Sequence, residues 1–151
     1  MFKITVTTFI VILILFAAFV GWVRFSTYQP DQVQPAEVNN EGEAQPIHRG
    51  GEIKLISWNV QFMAGKGYHF YYGGGPDTRP SPEDIAKTTK EVARIIKAEN
   101  PEVILLQEVD DGAKRTDHED QLENLLDLLP DDYSAYSSAF YWKASFSPHP
   151  K

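Results

Sequence analysis

No cysteine occurs in the 151 residues, so no disulfide can brace the fold and no thiolate can hold a metal. Any metal site must be built from oxygen or imidazole ligands, and only 4 histidines are available. Basic residues are also scarce, at 14 Lys and Arg against 21 Asp and Glu. Setting aside the first 24 residues removes Lys3 and Arg24 and no acid, leaving 12 basic against 21 acidic residues and a formal charge of −9. Sequence-independent nucleic-acid binding runs on Lys and Arg contacts to phosphates, so this balance argues against a general duplex binder. A phosphate-cradling P-loop is missing as well: Gly65-Lys66-Gly67 lacks the spaced glycine and the Lys-Ser/Thr ending. No internal repeat is visible.

One long apolar run is present. Ile4 to Val23 has no charged residue, and as a helix its 20 residues span roughly 30 Å, the thickness of a bilayer core. Residues 1–25 therefore read as a transmembrane signal anchor, with residues 4–23 in the membrane. The apolar region of a cleaved signal peptide is shorter, about 7–15 residues, and no clean small-x-small site follows Ala17-Ala18. Lys3 and the α-amino group against Arg24 alone favour a cytoplasmic N-terminus, a single pass and an extracytoplasmic body. Residues 26–52 carry Pro30, Pro35 and Pro46, a polar stretch from Glu37 to Glu43 and few large apolar side chains. Such a segment cannot bury a core and is expected to be a disordered linker, with His48 and Arg49 solvated at its end.

The globular part is expected over residues 53–151, with mixed α/β character. Ile53 to Val60 reads as a strand ending in Ser57-Trp58-Asn59-Val60. Ser81-Pro82-Glu83-Asp84 is a helix start, with a capping serine, proline in the first turn and acids beside it; Ile85, Thr89, Val92, Ile95 and Ile96 continue at helical spacing until Asn100-Pro101. Glu102 to Val109 reads as a second strand, its run Val103-Ile104-Leu105-Leu106 expected to be covered on both faces. Thr116-Asp117-His118-Glu119 predicts a capping box for a helix through Leu122, Leu125, Leu126 and Leu129, and Tyr133 to Trp142 predicts a third strand.

A strand, a crossover helix and a second strand form a parallel unit with both carboxyl ends on one edge, the edge where open sheets bind ligands. Asn59 and Glu108 are therefore expected side by side. A carboxylate suits a hard cation such as Mg²⁺, which takes oxygen ligands and keeps several waters, while an amide can fix a phosphate or a ligand without adding charge. The alternative at each position is a plain strand end. The loop from Gln61 to Pro80 is long, rich in glycine and aromatics, and is either functional or an inserted flexible hairpin. Lys66 and the aromatics are candidates to line a substrate entrance. Asp110 and Asp111 are candidates for a second metal shell, although Asp-Asp-Gly also makes an ordinary turn.

Ile53 to about Trp142, through Ser57-Trp58-Asn59-Val60 and Leu106-Gln107-Glu108-Val109, resembles the N-terminal half of the endonuclease/exonuclease/phosphatase superfamily, the deoxyribonuclease I-like phosphoesterases. The resemblance implies half of a four-layer α/β sandwich and a metal-dependent phosphoesterase using Mg²⁺ or Mn²⁺. It also implies that Glu108 ligates the cation and that Asn59 helps hold phosphate and metal. The substrate would be nucleic acid, a phospholipid or a small phosphorylated metabolite. The family completes its site with an Asp-x-Asn pair and a late Ser-Asp-His; no Asp-x-Asn occurs here, and Asp117-His118 comes only nine residues after Glu108. The 151-residue chain is therefore expected to be a truncated N-terminal part with little or no turnover. A non-catalytic, membrane-tethered interaction module that keeps the fold is the alternative.

Overall fold

The computed structural model describes residues 2–40, 42 and 50–146; His48 and Arg49, discussed above, lie outside them. Within these bounds the chain mixes helix and strand and divides into two units.

The first unit contains helix α1 (Phe2–Ser26) and the following residues to Glu37, together with the segment from Ser137. Val6–Ser26 is long and apolar enough to cross a membrane, a property that signal sequences share. Its side chains meet little protein: Phe9 is 62% and Leu15 is 64% exposed. Beyond the helix, Tyr28 N–H donates to the Lys143 carbonyl at 2.7 Å and the Tyr28 and Phe140 rings meet edge to face.

The second unit is organised by one parallel strand pair, β2 (Leu55–Asn59) and β3 (Val103–Gln107), joined through helix α2 (Pro82–Glu99). Helix α2 begins where its signals predict. Ser81 Oγ accepts from Asp84 N–H at 3.2 Å, Pro82 occupies the first turn, and Asn100 ends the helix in the left-handed region at φ 46°. Its apolar stripe of Ile85, Val92, Ala93 and Ile96 forms the core with Val60, Met63 and Leu125. Trp58, Ile104 and Leu106 pack on this core from one face of the sheet. Lys54 and Glu99 form a 2.9 Å ion pair, joining the residue before β2 to the last turn of α2.

The opposite face of the strand pair is open. Leu55 is 50% and Leu105 is 47% exposed, so the expected double-sided cover of the second strand is absent among the described residues. The reason is geometric: the helical cover lies on the Trp58 and Leu106 side alone. The other departures are local. The helix expected after Thr116 starts at Gln121 instead, as α3 (Gln121–Leu126), capped by Asp120 Oδ1 accepting from Leu122 and Glu123 N–H at 3.0 Å each. Thr116 cannot cap it, because its hydroxyl is buried against Asp110 and Asp117 and His118 turn left-handed at φ 52° and 64°. The expected strand over 133–142 reduces to β4 (Ala135–Tyr136), which pairs antiparallel with β1 (Asn39–Asn40) from the linker region. Tyr133 is held in a 3-10 turn instead, its hydroxyl donating to the Pro101 carbonyl at 2.8 Å.

The start of α2 carries a pH signature. Asp84 accepts hydrogen bonds from the Tyr68 hydroxyl at 2.6 Å and the Ser81 hydroxyl at 2.9 Å. These two bonds, Tyr68 first, hold the Asp84 carboxyl below its ordinary value of 3.8. A depressed carboxyl stabilises the fold above its unfolded pKa, and that stabilisation is lost as the pH falls from about 3.8 through the lower folded value. Asp84→Asn is expected to flatten the melting temperature below pH 4, measured by circular dichroism from pH 7 to 2.5; an acid limb as steep as that of the unmodified protein would count against this assignment.

Candidate functional site

Register alone brings Asn59 and Glu108 together. Asn59 pairs with Gln107, so Glu108 follows one residue beyond the shared carboxyl edge. Two further backbone bonds carry the pairing past the strands: Val60 N–H to the Gln107 carbonyl at 3.0 Å and Phe62 N–H to the Glu108 carbonyl at 2.7 Å. Asn59 Nδ2 donates to Glu108 Oε1 at 2.9 Å. Asn59 Oδ1 accepts from Gln61 N–H at 3.0 Å, and since a backbone N–H can only donate, this bond dictates which way the amide faces. The amide thus orients the carboxylate, and the second Glu108 oxygen makes no hydrogen bond among the described residues. Both side chains are exposed.

The backbone around this pair is strained. Gln61, Phe62 and Met63 have φ of 47°, 43° and 56°, and Glu108 has φ 56°, all in the left-handed region that side chains other than glycine adopt at a cost. A buried polar lattice supports the turn. Gln121, 1% exposed, donates from Nε2 to the Phe62 carbonyl at 2.9 Å and accepts at Oε1 from Asp110 N–H at 3.0 Å. One amide therefore ties the loop after β2 to the loop after β3. Arg115 grips Asp110 with two 2.8 Å bonds and lies 3.8 Å over the Phe62 ring. Burial works against the Arg115 charge, but the Asp110 bonds and charge, with weaker contributions from Glu108 and Tyr72, more than offset it and raise the guanidinium pKa.

These contacts sort the candidate residues. Asp110 has both oxygens engaged by Arg115, with Thr116 a further donor at 3.3 Å, so its carboxylate is committed to tying Arg115 and Thr116 to the loop after β3. Asp111 lies in an isolated bridge with Asp120. Asp117 pairs with Arg79 at 3.1 Å and His118 Nδ1 meets the Gly112 carbonyl at 2.8 Å; neither contacts Glu108. Lys66 is exposed just after Gly65, where a Cβ would approach Thr88 Oγ1 to 2.8 Å, and no contact joins it to Asn59 or Glu108 among the described residues. Gln61, Arg115 and Gln121 carry no local signal of their roles in the sequence. Arg115 and Gln121 stand in the polar run Lys114 to Gln121, where no apolar pattern marks either as buried.

Among the described residues no three of His, Asp and Glu gather as a metal cage. A cation held here would take one protein carboxylate and complete its shell with water and substrate, an arrangement that hard ions of the Mg²⁺ type accept. Among curated proteins and among solved structures, nothing matches this chain. A sequence profile described as the Endonuclease/Exonuclease/phosphatase family matches residues 56–150, which takes in β2 from its second residue, the intervening helix, β3 and the Asn59–Glu108 pair. On that match, across well over half its length, the chain belongs to the endonuclease/exonuclease/phosphatase family, a family of phosphoesterase-type hydrolases.

Proposed function

We propose that the chain carries, in Asn59 and Glu108, part of the site of a membrane-anchored, Mg²⁺- or Mn²⁺-dependent phosphoesterase with the four-layer α/β sandwich of its family. The observation that carries this reading is the 2.9 Å bond between Asn59 Nδ2 and Glu108 Oε1 at the joined strand ends. Glu108 would hold the ion through its unbonded oxygen, and Asn59 keeps that carboxylate in one orientation while its own oxygen remains on Gln61. Bound there, the ion supplies charge stabilisation for phosphoryl oxygens and an acidified water. The open Leu55 and Leu105 face supports the sandwich, since a second sheet layer would cover it. Residues 4–23 would anchor the protein in a single pass, with the body outside the cytoplasm. The substrate would be nucleic acid, a phospholipid or a small phosphorylated metabolite.

A non-catalytic tethered module is favoured by one observation: Glu108 belongs to no group of three acidic or imidazole ligands among the described residues. Titrating Mg²⁺ and Mn²⁺ into the 151-residue chain by calorimetry, alongside turnover assays on the three substrate classes, tests both readings. Glu108→Gln is expected to abolish ion binding and Asn59→Ala to weaken it about 10–100-fold, the usual cost of losing a group that orients a ligand. Turnover by the chain is expected to be low, because a single carboxylate leaves the water without a positioned base. Ion affinity unchanged in Glu108→Gln would sink the hydrolase reading.

A further inference from the structure

The loop after the strained turn is not a slack insertion. His69 N–H donates to Asp77 Oδ2 at 2.6 Å, Asp77 N–H returns to the His69 carbonyl at 3.0 Å, and Gly75 N–H reaches the Phe70 carbonyl at 3.0 Å. Gly75 is required at this closure, because a Cβ there would collide with the His69 carbonyl. Inside the loop three rings form a ladder. Tyr68 stacks on Phe70 with centroids 5.6 Å apart and planes 8° apart, and Phe70 stacks on Tyr72 at 5.6 Å and 18°.

The two ends of the ladder differ. Tyr68 is anchored, its hydroxyl donating to Asp84 and accepting from Ser81 N–H at 2.8 Å, at the start of α2. Phe70 is 3% exposed and rests on Phe62 at 5.0 Å. Tyr72, the outer rung, is 59% exposed although Phe70 backs it. Its hydroxyl accepts from Gln61 Nε2 at 3.4 Å, and the Gln61 N–H is the one that fixes Asn59. A rigid, solvent-facing aromatic plane is thus linked through a single residue to the Asn59–Glu108 pair.

We infer that Tyr72 is the stacking platform for the base of a nucleoside phosphate whose phosphate lies at Glu108. The inference rests on the phosphoesterase reading only for the placement of the phosphate. An exposed ring held in a fixed plane by a stacked neighbour is built to receive another flat ring; stacking tolerates any base because every base presents a π-face. The charge balance selects a single nucleotide unit over a long duplex. With 12 basic against 21 acidic residues after Arg24, phosphate contacts along a duplex are disfavoured, and a stacked ring supplies affinity that the overall charge does not.

The test is binding, measured by calorimetry on the full chain in Mg²⁺ with adenosine 5′-monophosphate, ribose 5-phosphate and glycerol 3-phosphate, and without metal with adenosine. Adenosine monophosphate is expected to bind at least about tenfold more tightly than either base-free phosphate, the effect of one stacked base. Tyr72→Ala is expected to reduce that preference to within about twofold and to weaken adenosine itself, while Tyr72→Phe keeps both. Glu108→Gln should weaken all three phosphates and spare adenosine. Loss of the Glu108→Gln effect with the Tyr72 effect intact would remove the phosphoesterase reading and leave the platform standing. Equal binding of ribose phosphate, glycerol phosphate and adenosine monophosphate by the unmodified chain, or a preference that survives Tyr72→Ala, would overturn the platform. The same holds for a preference lost in Tyr72→Phe.

Discussion

Phe62→Ala is expected to lower the stability of the second unit by about 3–5 kcal/mol, the range for emptying a fully buried phenylalanine site. Phe62 is 1% exposed, packs on Phe70 at 5.0 Å and carries the Arg115 guanidinium 3.8 Å above its ring. Truncation removes the apolar contact and the cation–π attraction together, the latter worth about 0.5–2 kcal/mol. It brings no relief in return, because alanine at φ 43° is no more comfortable than phenylalanine. Domains of this size hold about 5–15 kcal/mol in all, so the variant should sit near the edge of unfolding. Urea midpoints read the effect: the midpoint should fall with the slope unchanged, and Phe62→Leu should lose far less. A loss under about 1 kcal/mol would show that the site loop is held from elsewhere.

The second large effect is expected at Gln121→Leu. Leucine is close in volume and apolar, so packing survives while two buried groups lose their partners, the Phe62 carbonyl and the Asp110 N–H. Each orphaned group costs about 1–3 kcal/mol, giving about 2–6 kcal/mol together. Gln121→Glu separates the two bonds, since a carboxylate still accepts from Asp110 N–H but cannot donate to the Phe62 carbonyl. It should fall between the two and recover as acid protonates it. Ion affinity supplies a readout that a purely structural role would not move: loosening the tie between the two loops should weaken Mg²⁺ binding in Gln121→Glu beyond its loss of stability. Unchanged ion affinity in a folded Gln121→Glu would confine the residue to holding the core.

The parts that were legible share one property: their signals are local or periodic. Ser81-Pro82 and Asn100 bound α2 because caps act within a few residues, and the two apolar runs predicted the parallel pair whose register sets Asn59 beside Glu108. The illegible parts depend on what meets across the fold. Thr116-Asp117-His118-Glu119 satisfies the capping pattern, yet Thr116 is claimed by Asp110 and the cap passes to Asp120. Residues 133–142 have the composition of a strand but meet no long partner among the described residues, where Ala135–Tyr136 pairs with Asn39–Asn40. The Gln121 tie spans 59 residues to Phe62, and no window of sequence contains both ends. The ladder of Tyr68, Phe70 and Tyr72 was visible only as aromatic richness, because stacking needs the loop closure at His69 and Asp77.

The bare side of the strand pair also shapes how this polypeptide behaves in a cell. Val103 to Leu106 is a short, neutral, β-branched and leucine-rich run without proline, the composition from which fibrils nucleate when outer backbone edges stay unmet. Ser57, Gln107 and Lys54 interrupt the exposed hydrophobes on and beside the two strands and act as gatekeepers. Exchanging Ser57 or Gln107 for valine would remove only exposed hydrogen bonds, the 3.5 Å Gln107–Ser57 contact and, for Gln107, the 3.2 Å bond to the Leu105 carbonyl, while giving newly made chains a greasy ribbon on which to align.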